Sequence, residues 1–148
     1  MKNWSFKKWN TLLGWVVFVI AFFTYLSTIE RNFSFWDTGE YISSAVKLEV
    51  THAPGAALFQ LIGAVAAVFA FGNGENYSVV INSMSALFSA FTILFLFWTI
   101  THLVRRLLHK DFNDITRHQE ISILFAGVIG ALCFTFSDTF WFSAVEGE

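Results

Sequence analysis

The chain has 148 residues, of which 55% are hydrophobic and 14% charged, with a net charge of −2 and a mean hydropathy of +0.58. Soluble domains are roughly a quarter charged and under half apolar, so an ordinary soluble fold is excluded. Disorder is excluded too, because disordered chains lack this much apolar surface. No Lys/Arg run is long enough to engage nucleic acid, and the single cysteine, Cys133, permits no disulfide framework and reads as a small buried hydrophobe. The abundance of Phe and Trp suits contact with lipid and its interfaces. The composition is that of an all-α integral membrane protein whose first partner is the lipid bilayer.

A basic tail with Lys2, Lys7 and Lys8 opens the chain. The uncharged stretch 12–29 that follows predicts a first span. It is longer than a signal-peptide core and no small-residue cleavage site follows, so it is retained as an anchor. Next comes Trp36-Asp37-Thr38-Gly39-Glu40-Tyr41. Asp37 with Glu40 three residues later has the spacing of a capping box, Trp36 and Tyr41 that of a hydrophobic staple, and the periodicity predicts an amphipathic helix over 38–50. Capping alone accounts for these residues. Yet a carboxylate just outside a span is partly desolvated, which lifts its pKa towards that of a general base, and it can also help bind a divalent cation through oxygen. Spacing leaves both readings open.

Thr51-His52-Ala53-Pro54-Gly55 places Pro54 at the first position of a new helix and His52 on the corner before it. His52 is either an exposed turn histidine or a donor to a phosphate oxygen near a helix N-terminus. The segment 54–71 predicts an apolar helix rich in small residues. The turn-rich Gly72–Asn76 ends it, and spans over 79–104 and 121–142 follow, separated by a loop over 105–120.

The side each loop faces depends on whether 54–71 crosses the bilayer. If it does, three basic residues lie inside and six outside, against the positive-inside bias. If it lies in the interface, seven are inside and only Arg31 and Lys47 outside. Charge favours three spans, an outer segment over 30–78 and a cytoplasmic loop over 105–120. Asp37, Glu40, His52, Asp138, Glu146 and Glu148 then share the outer face. Asp138, a carboxylate near a span end, is a functional suspect or a cap at the rim. The ending Val145-Glu146-Gly147-Glu148 directly follows an apolar aromatic run, which reads as a cut within a longer chain.

An acidic motif after the first span followed by His-x-Pro resembles the GT-C membrane glycosyltransferases, and within them the protein O-mannosyltransferases, whose first outer loop carries Asp-Glu and then His-Pro-Pro. Trp36-Asp37-Thr38-Gly39-Glu40 with His52-Ala53-Pro54-Gly55 is similar, more specifically, to a large, mainly bacterial family of multispanning proteins. The ending from Phe140 to Glu148 resembles that family as well. This chain departs from the mannosyltransferase pattern in separating Asp37 from Glu40, in carrying Ala53, and in having Asn82 where an arginine falls. The resemblance implies the N-terminal part of a GT-C-like multispanning helical bundle with juxtamembrane helices in the first outer loop. It implies a bacterial inner-membrane enzyme, active on the non-cytoplasmic face, that uses a polyprenyl-phosphate-linked sugar and a protein acceptor.

By that resemblance Asp37 and Glu40 are catalytic, with Asp37 the base or acceptor-positioning group. His52 contacts the donor phosphate, with Arg31 and Lys47 as further cations or interface anchors. Glu146 and Glu148 form a second acidic motif for the acceptor or a divalent metal (Mg or Mn). A transporter is disfavoured because the middle of each span lacks charge, and a non-catalytic scaffold would need only the capping box.

Overall fold

The computed structural model describes residues 5–31, 37–52, 55–108 and 115–147, and every regular element among them is helical. Trp36, Pro54 and Glu148, each given a role above, lie outside the described residues. In chain order the helices are α1 (Phe6–Ser27), α2 (Thr38–Lys47), α3 (Ala57–Ala67), α4 (Tyr77–Leu108), α5 (Arg117–Thr135) and α6 (Asp138–Ala144). Three of them, α1, α5 and α4 with the 3-10 turn before it, are long and apolar enough to cross a membrane. Helices are what such sequences must form in lipid, where every backbone N–H and C=O has to be satisfied within the segment.

The helices depart from the sequence expectation at two places. The apolar stretch 121–142 is divided: α5 ends at Thr135, Ser137 N–H and Oγ–H both donate to Phe134 O, and Asp138 opens α6. A polar residue with local hydrogen-bonding capacity interrupts the helix that hydropathy alone would continue. The segment 54–71 gives α3 and a 3-10 turn over Val68–Ala70, together about 22 Å long. A hydrocarbon core of about 30 Å exceeds that length.

Two compact units divide the chain. The first combines α1 up to Phe22 with Ala90–Ser137. There Trp98 donates its Nε1–H to Asn10 O, and α1 approaches α4 where Gly14 faces Leu94 and Trp98. Ile93, Leu94 and Phe97 of α4 and Ile123 and Leu124 of α5 are buried. Cys133, expected to be buried, is instead exposed on α5.

The second unit, Phe23–Ser89 with the segment from Asp138 on, carries the sequence motifs. Ile42 and Ala45 of α2 and Ile81 of α4 are buried together, with Phe59, Tyr77 and Met84 packed around them. α3 lies directly on α2, because Gly63 has no side chain: a Cβ there would stand 2.9 Å from Ala45 Cβ. The opposite face of α3 exposes Leu58, Leu61 and Val65, and Val68 in the 3-10 turn after it is exposed too. The far end of the unit is stitched by Glu30 N–H to Val145 O, Asn82 Nδ2–H to Glu30 O at 2.7 Å, and Trp141 Nε1–H to Thr28 Oγ1.

Gly63→Ala should force α2 and α3 apart and destabilise the protein by about 1–3 kcal/mol, as overpacking does. Ala45→Gly in the same chain should restore the lost thermal stability, measured by unfolding in detergent.

Candidate functional site

The site begins with α2. Asp37 occupies the position before its first turn and Glu40 stands one turn in, so the two carboxylates share a face of the chain. The capping box expected from their spacing does not form. Asp37 makes no side-chain cap bond; only its carbonyl takes part, accepting from Tyr41 N–H. Glu40 turns away to a partner twelve residues on. Its Oε1 accepts the His52 backbone N–H at 2.8 Å, and its Oε2 lies 3.1 Å from His52 Nδ1.

His52 is thereby gripped at two points and presents its other ring nitrogen, Nε2, to Asp37 Oδ2 at 3.6 Å. Tyr41 stands edge-on to the imidazole and to Phe59 of α3, closing the cluster on its apolar side. All three polar side chains remain about half exposed, at 57% for Asp37, 42% for Glu40 and 50% for His52. At that exposure ion pairs add little to stability. Their effect is positional: one imidazole fixes two carboxylates.

The His52 backbone N–H, and after it the His52 ring, hold the Glu40 carboxyl below the ordinary glutamate value of 4.5. Glu40 is thus held as an anion turned towards His52. One ligand atom from each of Asp37, Glu40 and His52 lies within 4.8 Å of the others. A divalent cation bound there would take an imidazole nitrogen and two carboxylate oxygens, a donor set that suits a transition metal better than Mg.

The C-terminal acids are placed differently from one another. Glu146 is not a solvated loop acid: it is 4% exposed, and Thr38 Oγ–H donates to its Oε2 across 3.4 Å. Thr38 is the first residue of α2, the end where the helix dipole is positive, and a buried carboxylate is tolerated in such a setting. Glu146 thus meets α2 at its first residue. The next residue must be glycine, because a Cβ on Gly147 would stand 2.9 Å from Asn82 Oδ1 and 3.1 Å from Ile81 Cγ2. Asp138 is exposed in the first turn of α6, where a carboxylate suits the helix N-terminus. Arg31 is exposed, and Lys47 ends α2.

Two residues escaped the sequence reading. Thr38 supplies the contact to Glu146, and Gln60, the one polar side chain in the apolar run from Ala53 to Gly72, is buried in α3. That isolation in the sequence was its signal.

Removing Glu40 should release the corner at His52. In Glu40→Ala the His52 amide should exchange with deuterium several-fold faster at a fixed pH. Because the Glu40 pKa is lowered on folding, the grip is fully present above the ordinary glutamate value and is lost as pH falls through the lower folded value. The histidine ring signals in NMR should follow that loss in the wild type and not in Glu40→Ala.

A comparison with protein families gives one match: the family described as the N-terminal domain of protein O-mannosyl-transferase TMEM260 covers residues 37–148, from Asp37 of the cluster through the buried Glu146 segment. The chain belongs to that family. No curated protein and no solved structure matches it.

Proposed function

We propose that this member of the O-mannosyltransferase family is the N-terminal part of a GT-C-type glycosyltransferase. It moves a sugar, mannose by its family, from a polyprenyl-phosphate donor to a protein hydroxyl on the non-cytoplasmic face of a bacterial inner membrane. The observation that carries the reading is the state of Asp37. Its carboxylate is exposed, is not spent on capping α2, and stands 3.6 Å from the ring of a histidine that Glu40 holds in place.

A lipid-borne donor brings its phosphate to the membrane interface, so its site belongs on a loop beside a span. Asp37 takes the proton of the acceptor hydroxyl as that oxygen bonds to the anomeric carbon. The bond from that carbon to the phosphate oxygen breaks as the new one forms, and its electron pair leaves on the polyprenyl phosphate. The configuration inverts, and Asp37 later returns its proton to water. His52, when protonated, places positive charge beside the departing phosphate, while Glu40 orients the ring and Glu146 keeps α2 seated. The distribution of Lys and Arg supports the outer placement, with seven on the tail and the 105–120 loop and two in the segment that carries Asp37.

In the full-length protein Asp37→Asn should lower sugar transfer by about 100- to 10,000-fold, the usual contribution of a positioned base, with expression and membrane insertion unchanged. A wild-type rate of transfer to a peptide acceptor would remove Asp37 from the mechanism.

A further inference from the structure

Beside the cluster lies a second feature. A cleft of about 340 Å³ opens between the turn after α2 and the start of α3, lined among others by Glu49, Val50, Thr51, Ala57, Gln60 and Leu61. Pockets of this order hold small molecules or their head groups. Its walls are continuous with the His52 corner, since Thr51 precedes that residue and Gly55, also in the lining, donates its N–H to His52 O.

The polar groups of the cleft are not consumed by the fold. Gln60 is 6% exposed, yet among the described residues neither its Oε1 nor its Nε2 has a hydrogen-bond partner, and the buried Thr51 Oγ1 has none. Buried amides and hydroxyls are nearly always paired, because leaving one unpaired costs the full desolvation of the group. α3 starts here too, and Ala56 offers no side chain to cap its first-turn N–H groups. Around these stand Leu48, Val50 and Leu61, all exposed at the rim.

The chemistry of the lining selects among ligands. A phosphate would gain from the helix N-terminus but would meet the Glu49 carboxylate and an amide oxygen that can only accept. A purely apolar group would leave Gln60 and Thr51 unpaired. A neutral ring bearing several hydroxyls satisfies both kinds of group at once. Its O–H groups donate to Gln60 Oε1 and Glu49, and its oxygens accept from Gln60 Nε2, Thr51 Oγ–H and the first turn of α3.

We infer that this cleft is a sugar subsite, in which Gln60 and Thr51 hold the hydroxyls of the pyranose while its anomeric carbon faces the Asp37–His52 cluster. The inference rests on the glycosyl-transfer reading in taking that sugar to be the donor's. Gln60 and Thr51 are then binding residues that recognise the sugar and leave the phosphate and lipid to other groups.

The test measures binding to the full-length protein in nanodiscs, using a short-chain polyprenyl-phosphate mannose and the same polyprenyl phosphate without sugar. The wild type should bind the sugar-bearing lipid more tightly. Gln60→Met should weaken that lipid by about tenfold, the worth of a hydrogen bond or two, and leave the bare polyprenyl phosphate unaffected. Its thermal stability should be unchanged or raised, since unpaired buried polar atoms are removed. Thr51→Val, close in shape, should act in the same selective direction. Equal loss on both lipids, no loss on either, or no preference for the sugar in the wild type would overturn the subsite. Asp37→Asn separates the two readings, because it should lower transfer by about 100- to 10,000-fold and keep the sugar preference. If it keeps transfer while Gln60→Met still loses that preference, the base assignment fails and the subsite stands.

Discussion

One imidazole organises the segment between α1 and α4. His52 meets Glu40 through both its backbone N–H and its Nδ1 and turns Nε2 towards Asp37, so three side chains from two places in the chain act as one cluster. The arrangement needs α2 and α3 to lie closer than ordinary side chains permit, which the missing side chain of Gly63 against Ala45 provides. It also needs α2 to be seated, which Ile42 achieves by packing on Ile81, and Glu146 by meeting Thr38. The half-exposed charges contribute little to stability; the apolar packing beneath them holds the fold, and the charges set the direction of the functional groups.

The acids differ in burial. Glu146, nearly sealed from solvent, meets Thr38 at the foot of α2. Glu40 is kept ionised by the groups it orients. Asp37 is exposed, does not cap α2 and stands 3.6 Å from the same imidazole.

The spans were legible in the sequence because lipid leaves a long apolar segment no alternative to helix. The break between α5 and α6 was not, since Phe136, Phe140 and Trp141 keep hydropathy high across it and only the local bonds of Ser137 mark the stop. Asp37, Glu40 and His52 could be singled out individually, but the spacing of the first two fits both a capping box and a shared face. What decides between them is the arrival of His52 from across a loop, a tertiary event that local spacing does not encode. The burial of Glu146 was hidden for the same reason, whereas Gln60, the lone polar side chain in its run, was visible and went unread.

In the proposed reaction, donor and acceptor meet at the Asp37–His52 cluster. Cryo-microscopy of the full-length Asp37→Asn protein with a bound polyprenyl-phosphate sugar tests this most directly. The account predicts density for the sugar beside residues 37 and 52 and for the phosphate next to the imidazole, on the same side of the membrane as Glu146. Donor density on the opposite side of the bilayer, or a cluster with no ligand atom within hydrogen-bonding reach, would contradict it.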